Sequence, residues 1–139
     1  IKTLDNFVKK YNLKNISIFG PFSSKLAFKI LKKSKASLLT LKKNNIFSMT
    51  IPNKFQTYLY VGNPILVSAN GEVSKLTKIK KVGLTSPAEN FLRLKENILK
   101  LYKLNIKELK KIKKNCNNYY KNSFDINIQT KKLLKIIEK

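Results

Sequence analysis

Residues 64–73 read PILVSANGEV, and this stretch decides the fold class. Its first half is a short run that is apolar on both faces, which is typical of a buried parallel strand. Asn70-Gly71 then predicts a turn, and Val73 and Leu76 have the spacing of a helix that follows it. A buried strand that leads directly into a helix is the repeating unit of an α/β fold.

The same alternation of strand-like runs and helical spacings extends over the whole chain. Buried-strand runs are predicted at residues 15–19, 36–41, 64–67 and 82–85. Because parallel strands need crossover connections, the intervening helices predict a Rossmann-like parallel sheet of about four strands, followed by C-terminal helices. The length of 139 residues fits a single domain over residues 1–139.

Local end signals set the limits of several predicted helices. Gly62 can terminate a short helix that contains Phe55 and Leu59. Residues 86–89 (SPAE) have the pattern of a capping box with proline at the first helical position, so a helix is predicted to begin there. Asp125 can cap a terminal helix within residues 123–139.

The composition excludes several kinds of chemistry. The chain has no histidine, which excludes histidine-based catalysis, and its single cysteine cannot form a zinc site or an internal disulfide. Its seven acidic residues are scattered rather than clustered. No apolar run approaches the ~20 residues that a membrane-spanning helix needs.

The net charge of +23 admits two interpretations. Arg93 is the only arginine among 30 basic residues, and abundant Lys, Asn and Ile are what A+T-rich codons produce. Proteins that read base edges favour arginine, so no specific nucleic-acid partner is expected. Non-specific attraction to nucleic acid or to an anionic membrane through the Lys-rich helices at 103–121 stays open as an alternative.

Two connections offer candidate ligand contacts at one edge of the predicted sheet. The loop at residues 44–54 follows a buried strand and contains Thr50, Asn53 and Lys54, whose amides and ammonium can hold a phosphate or a sugar. Glu72 follows the next strand, where it either contacts a ligand or complements a helix dipole.

Three motifs of this chain resemble a known family of enzymes. IPNKFQTYL at residues 51–59, GNPIL at 62–66 and NGE at 70–72 are similar to the C-terminal, donor-binding domain of family 4 (group 1) retaining glycosyltransferases. The similarity is greatest to bacterial members with PSK or PGK, x-Q-x-Y, G-x-P-I and G-E in that order. It extends over the whole chain, including residues 82–84 and 118–124.

The resemblance implies a GT-B enzyme, in which two Rossmann-like domains enclose the active site. The C-terminal domain binds a nucleotide diphosphate sugar, and the N-terminal domain mainly binds the acceptor, a glycan or a lipid-linked glycan. The reaction it implies is transfer of a hexosyl unit in the synthesis of a bacterial surface polysaccharide. The resemblance implies no bound metal or other cofactor, and the scattered acidic residues are consistent with that. The location it implies is cytoplasmic, with the inner face of the cell membrane as one setting.

The resemblance also assigns donor-binding residues, although it identifies no catalytic one. Gly20 and Phe22 are expected to contact the nucleobase. Lys54 is expected either to contact phosphate or to be a solvated lysine at the start of a helix. Many relatives carry two glutamates where this chain has Met49 and Thr57, and the second of them bonds the donor ribose. Thr57 can make one hydrogen bond there but lacks a carboxylate's paired acceptors. The loop expected to contact the donor sugar or phosphate consists of Thr50, Ile51, Pro52 and Asn53.

In the strand order 3-2-1-4-5-6 of such domains, the four predicted strands correspond to positions 3 to 6. The resemblance therefore implies a partial domain that lacks the two central strands, the acceptor domain and the basic residues that clamp the diphosphate. Its terminal helix at 123–139 would cross back to that missing N-terminal domain. We expect no turnover by this chain alone.

Overall fold

The computed structural model describes residues 2–138, which form an α/β fold of eight helices and three strands. The chain alternates between helices and strands up to the third strand, and three helices follow. In chain order the elements are α1 (Lys2–Lys10), α2 (Ser24–Lys33), β1 (Ser37–Thr40), α3 (Asn45–Ser48), α4 (Asn53–Val61), β2 (Ile65–Ser68), α5 (Glu72–Ile79), β3 (Gly83–Ser86), α6 (Phe91–Tyr102), α7 (Ile106–Phe124) and α8 (Ile126–Ile137).

The three strands form one parallel sheet in the order β1-β2-β3. Ser37 lies opposite Ile65, which in turn lies opposite Gly83. The central strand β2 is buried along its whole length, as its continuous apolar sequence predicts. The predicted α/β class and the strands predicted at 36–41, 64–67 and 82–85 are therefore confirmed.

The strand predicted at residues 15–19 is wrong, and the sheet has three strands rather than about four. This segment forms neither helix nor strand, and Ile16 and Phe19 are 46% and 64% exposed. A strand needs a neighbouring edge to satisfy its backbone groups. In the strand order implied by the resemblance, two other strands lie between this segment and β1, and residues 2–138 provide neither.

The outer edge of β1 is left without a strand partner among the described residues. Ser37 and Leu41 donate their backbone N–H groups to the carbonyls of Pro64 and Ser68, at 2.9 and 3.0 Å. Because alternate N–H groups of a strand point to opposite sides, those of Leu38 and Thr40 point outward. The hydroxyl of Tyr58 donates to the outward carbonyl of Leu38 at 3.4 Å. A side chain of α4 thus satisfies part of this edge.

The core lies between one face of the sheet and the helices α4, α5 and α7. Phe55 of α4 packs edge-on against Tyr119 of α7, with 6.4 Å between the ring centres. The contact between α4 and α7 is the most extensive helix–helix contact in the described chain. The buried core consists of Leu39, Phe55, Leu59, Ile65, Val67, Ala69, Val73, Val82, Cys116 and Tyr119.

The capping box predicted at residues 86–89 is wrong, because α6 begins at Phe91 after the N-cap Asn90. Ser86 ends β3, and its hydroxyl donates to the carbonyl of Val67. Glu89 has a φ of 62°, and its carboxylate accepts from the backbone N–H of Lys43. Tertiary partners, one in β2 and one in the connection after β1, therefore occupy the groups that the local motif would have used.

Other helix ends follow the sequence signals. Gly62 takes the left-handed conformation after α4, with a φ of 82°, as predicted. Asp125 accepts hydrogen bonds from the backbone of Asn127 and Ile128 and so caps α8, the predicted terminal helix. That helix covers Ile126–Ile137, whereas Ser123 and Phe124 still belong to α7. Residues 1 and 139 of the predicted ranges lie outside the described residues.

Gly71 joins two connections at the carboxyl end of the sheet. It lies between β2 and α5 with a φ of 80°, and a Cβ placed on it would collide with the carbonyl group of Ser48, at the end of α3. Only glycine allows both this backbone conformation and this approach. The contact holds the connection after β1 against the connection after β2.

We expect Gly71→Ala to lower the free energy of unfolding by at least about 2 kcal/mol, because positive φ alone costs about 1–3 kcal/mol and the collision adds to it. Urea unfolding followed by circular dichroism measures the change. Gly20→Ala is the matched control: a Cβ there meets nothing within 4 Å, so the expected change is within about 0.5 kcal/mol. Equal unfolding midpoints for the two variants would contradict the packing of Gly71 on Ser48.

Candidate functional site

The loop at residues 49–52, between α3 and α4, is exposed at the carboxyl end of the sheet. Met49 is 76% exposed, and Thr50 is also exposed. The short helix α3 fixes the start of the loop, because Asn44 caps it by accepting from the N–H of Ile46 at 2.7 Å. Thr50 bonds back to the carbonyl of Phe47 at 3.1 Å. The loop is therefore held in place while its outer surface stays open.

Helix α4 begins without a side-chain cap. Its N-cap residue is Pro52, whose carbonyl accepts from the N–H of Phe55 at 2.9 Å. The backbone N–H groups of Asn53 and Lys54 precede the first intrahelical bond and have no partner inside the helix. Free N–H groups and the positive end of the helix dipole make this a suitable position for an anionic group.

A cavity of about 510 Å³ between α2 and α4 brings together three of the predicted donor-binding residues. Phe22, Lys54 and Thr57 all line it, although Phe22 is far from the other two in sequence. Most of the lining residues are aromatic or aliphatic, and the polar ones are Ser24, Lys54, Thr57 and Tyr58. The remaining lining residues are Ser24, Ala27, Phe28, Ile30, Leu31 and Tyr58.

Thr57 also borders a second, smaller cavity of about 300 Å³ on an adjacent face of α4, together with Asn53 and Tyr120. Its hydroxyl donates to the carbonyl of Asn53 at 3.2 Å. The hydroxyl hydrogen is thus used within the helix, and the oxygen remains free to accept one hydrogen bond. Thr57 can accept a bond from a sugar hydroxyl but offers no negative charge.

Gly20 and Glu72 lie apart from this cavity. Gly20 is an exposed residue of the irregular segment before Phe22, and no side chain approaches its Cα closely enough to require glycine. Glu72 begins α5 and influences the core instead: burial, and next the charge of Glu72, raise the pKa of Tyr119. Of the loop residues, Ile51 packs against the core and supports the loop from below.

Phe28 and Tyr58 were not among the predicted site residues, although both line the cavity. Burial raises the pKa of Tyr58, whose hydroxyl donates to the carbonyl of Leu38. The x-Q-x-Y motif could have pointed to Tyr58. No motif of the sequence pointed to Phe28.

No protein-family model, curated protein or solved structure matches the chain. None of the helices within residues 2–138 is both long enough and apolar enough to cross a bilayer. The described part of the chain also has no group of three or more Asp, Glu, Cys or His side chains that could hold a metal ion. The functional proposal for this chain therefore rests on the geometry of the cavity and of the loop, together with the resemblance.

Cys116, the single cysteine, is buried on the inner face of α7. Burial raises the pKa of its thiol to about 12, and its Sγ lies 3.6 Å from the carbonyl oxygen of Asn63. The reactive thiolate is therefore absent at neutral pH. Cys116 serves as a small apolar side chain of the core.

The raised pKa of Cys116 predicts how stability changes in alkaline solution. The unfolded chain loses the thiol proton near pH 9.0, whereas the folded chain keeps it up to about pH 12. The unfolded state then binds fewer protons, so the contribution of this thiol to stability is complete below pH 9.0 and falls as pH rises.

We expect the difference in unfolding free energy between the wild type and Cys116→Ala to shrink above pH 9, by up to about 1.4 kcal/mol per pH unit. Comparing the two proteins removes the contribution of the many lysines, which titrate in both. Urea unfolding at several pH values measures the difference. A difference that stays constant with pH would show that the thiol ionises as readily in the folded protein as in the unfolded one.

Proposed function

We propose that this chain is the donor-binding portion of a retaining glycosyltransferase. It would bind a nucleotide diphosphate sugar, from which a hexosyl unit passes to a hydroxyl group of a glycan or lipid-linked acceptor. The observation that carries the proposal is the α2–α4 cavity, which gathers Phe22, Lys54 and Thr57 beside the loop that the resemblance assigns to the donor. A cavity of about 510 Å³ is within the usual range of small-ligand sites, about 300–1,000 Å³.

The nucleobase would lie against the aromatic part of the cavity. Phe22 and Phe28 both line it, and a flat base gains about 1–3 kcal/mol by stacking on such a ring. Phe22 is itself 42% exposed, so its ring is accessible to a ligand from solvent. Its nearest aromatic neighbour is Phe19, with 5.6 Å between ring centres, which helps to hold the ring in place.

The charged part of the donor would lie at the start of α4. The free N–H groups of Asn53 and Lys54 and the ammonium of Lys54 can together bind a phosphate at this helix end. Thr57, one turn further along, can accept a hydrogen bond from a ribose hydroxyl.

We assign no catalytic residue to this chain. In the proposed enzyme a second domain binds the acceptor, and the basic residues that clamp the diphosphate belong to the part that this chain lacks. The chain alone is therefore expected to bind donor without transferring sugar. The setting we propose is cytoplasmic, in bacterial polysaccharide synthesis at the inner face of the cell membrane.

We expect the folded chain to bind at least one of a panel of UDP- and GDP-sugars, and expect Phe22→Ala and Lys54→Gln each to weaken binding by about tenfold or more. Isothermal titration calorimetry measures the affinity, and thermal shift gives a first screen. Tyr102→Ala and Lys110→Gln are matched controls, because they remove an exposed ring and an exposed ammonium that line none of the cavities described.

The controls should bind the same nucleotide sugar as well as the wild type does. Failure of the whole panel to bind would contradict the proposal. Equal weakening by site and control variants would contradict it as well, because it would indicate attraction to the general positive charge.

The second candidate function is a non-catalytic basic module that binds nucleic acid or an anionic membrane. The observation that favours it is a row of exposed lysines on α7. Among residues 3–138, whose side chains the structure describes, the only ion pair joins Arg93 to Glu96. Steep, salt-dependent binding to random-sequence DNA without any response to nucleotide sugars would support it. The lysines concerned are Lys107, Lys110, Lys111, Lys113, Lys114 and Lys121.

A further inference from the structure

A separate cavity of about 510 Å³ lies at the ends of β2 and β3, between α5 and the start of α6. It shares no lining residue with the α2–α4 cavity. Three of its ten lining residues are basic and none is acidic; the ten are Ala69, Asn70, Gly71, Ser74, Lys75, Lys78, Thr85, Ser86, Pro87 and Arg93.

The three cationic side chains come from two helices on different sides of the cavity. Lys75 and Lys78 are one turn apart on α5, and Arg93 lies in the first turn of α6. Within the described residues neither lysine forms an ion pair. Glu96 engages one terminal nitrogen of Arg93 at 2.6 Å, and the guanidinium keeps further N–H donors for another acceptor.

The neutral wall of this cavity is held in place by hydrogen bonds within the fold. Ser74 donates to the carbonyl of Ala69, and Ser86 donates to the carbonyl of Val67. Asn70 accepts from the backbone N–H of Ala88 at 3.0 Å through its Oδ1, which leaves its amide N–H groups as donors. The cavity therefore offers cations and N–H donors on a fixed wall.

We propose that this cavity is a phosphate-binding site, distinct from the proposed donor site. Mutual repulsion of Lys75, Lys78 and Arg93 is relieved by an anion with at least two negative charges, which a phosphate or pyrophosphate group supplies. A guanidinium matches the oxygens of a phosphate in two parallel hydrogen bonds. The sole arginine of this lysine-rich chain lies here. The phosphate belongs either to a small soluble molecule or to a lipid headgroup.

The test compares two pairs of charge removals in the full chain. Lys75→Gln/Lys78→Gln changes the cavity, and Lys110→Gln/Lys111→Gln removes the same charge from α7. One arm titrates inorganic pyrophosphate by calorimetry. The other measures binding to phosphatidylglycerol–phosphatidylcholine vesicles, with pure phosphatidylcholine vesicles as the blank. Circular dichroism verifies that each variant is folded.

We expect the cavity pair to weaken binding at least tenfold in one arm, and the α7 pair to change it less than twofold. Loss in the pyrophosphate arm identifies a soluble ligand, and loss in the vesicle arm alone identifies a headgroup. Arg93→Lys keeps the charge but loses the paired hydrogen bonds, so it should weaken the same binding by several fold.

Three results would overturn the inference. The first is absence of binding in both arms, and the second is equal weakening by the two pairs, which indicates attraction to net charge alone. The third is pyrophosphate binding that Lys54→Gln abolishes and the cavity pair does not, because the ligand then occupies the proposed donor site. That third result would support the proposed function while excluding this second site, so the two proposals fail independently.

Discussion

The close approach of Gly71 to the carbonyl of Ser48 is the constraint on which the site geometry depends. A parallel sheet brings the connections after its strands to one edge, but it does not fix where each connection goes. Here the connection after β2 serves as the support for the connection after β1. The exposed loop and the uncapped start of α4 are positioned as a result, between a cavity along α2 and a basic cavity along α5.

The small size of the sheet also determines which helix surfaces stay exposed to solvent. Its strands have four residues each, and the main core lies on only one face. Amphipathic helices that do not reach this core keep their apolar side chains exposed, such as Leu4 and Phe7 of α1 and Leu133 and Ile137 of α8. These amphipathic helices therefore form while their apolar faces stay exposed, since residues 2–138 offer little further surface for them to pack on.

Local signals in the sequence were sufficient where local contacts decide the structure. The buried run at β2, the left-handed Gly62 and the cap at Asp125 could all be predicted for this reason. Residues 15–19 and 86–89 were misjudged because pairing partners and competing acceptors from distant segments decide them. For the site, the loop beside α4 could be anticipated, whereas Phe28 and the cluster of Lys75, Lys78 and Arg93 appear only when helices come together.

We propose that the start of α4 and the adjoining cavity bind the nucleotide part of an activated sugar. NMR tests this binding at each residue, through the backbone amide chemical shifts recorded during titration with the best-binding nucleotide sugar. Binding at the start of α4 predicts saturable chemical-shift changes at Phe22 and at residues 50–58, with smaller changes on α7. Shifts confined to the lysine-rich face of α7, or no saturable shifts at residues 50–58, would contradict it.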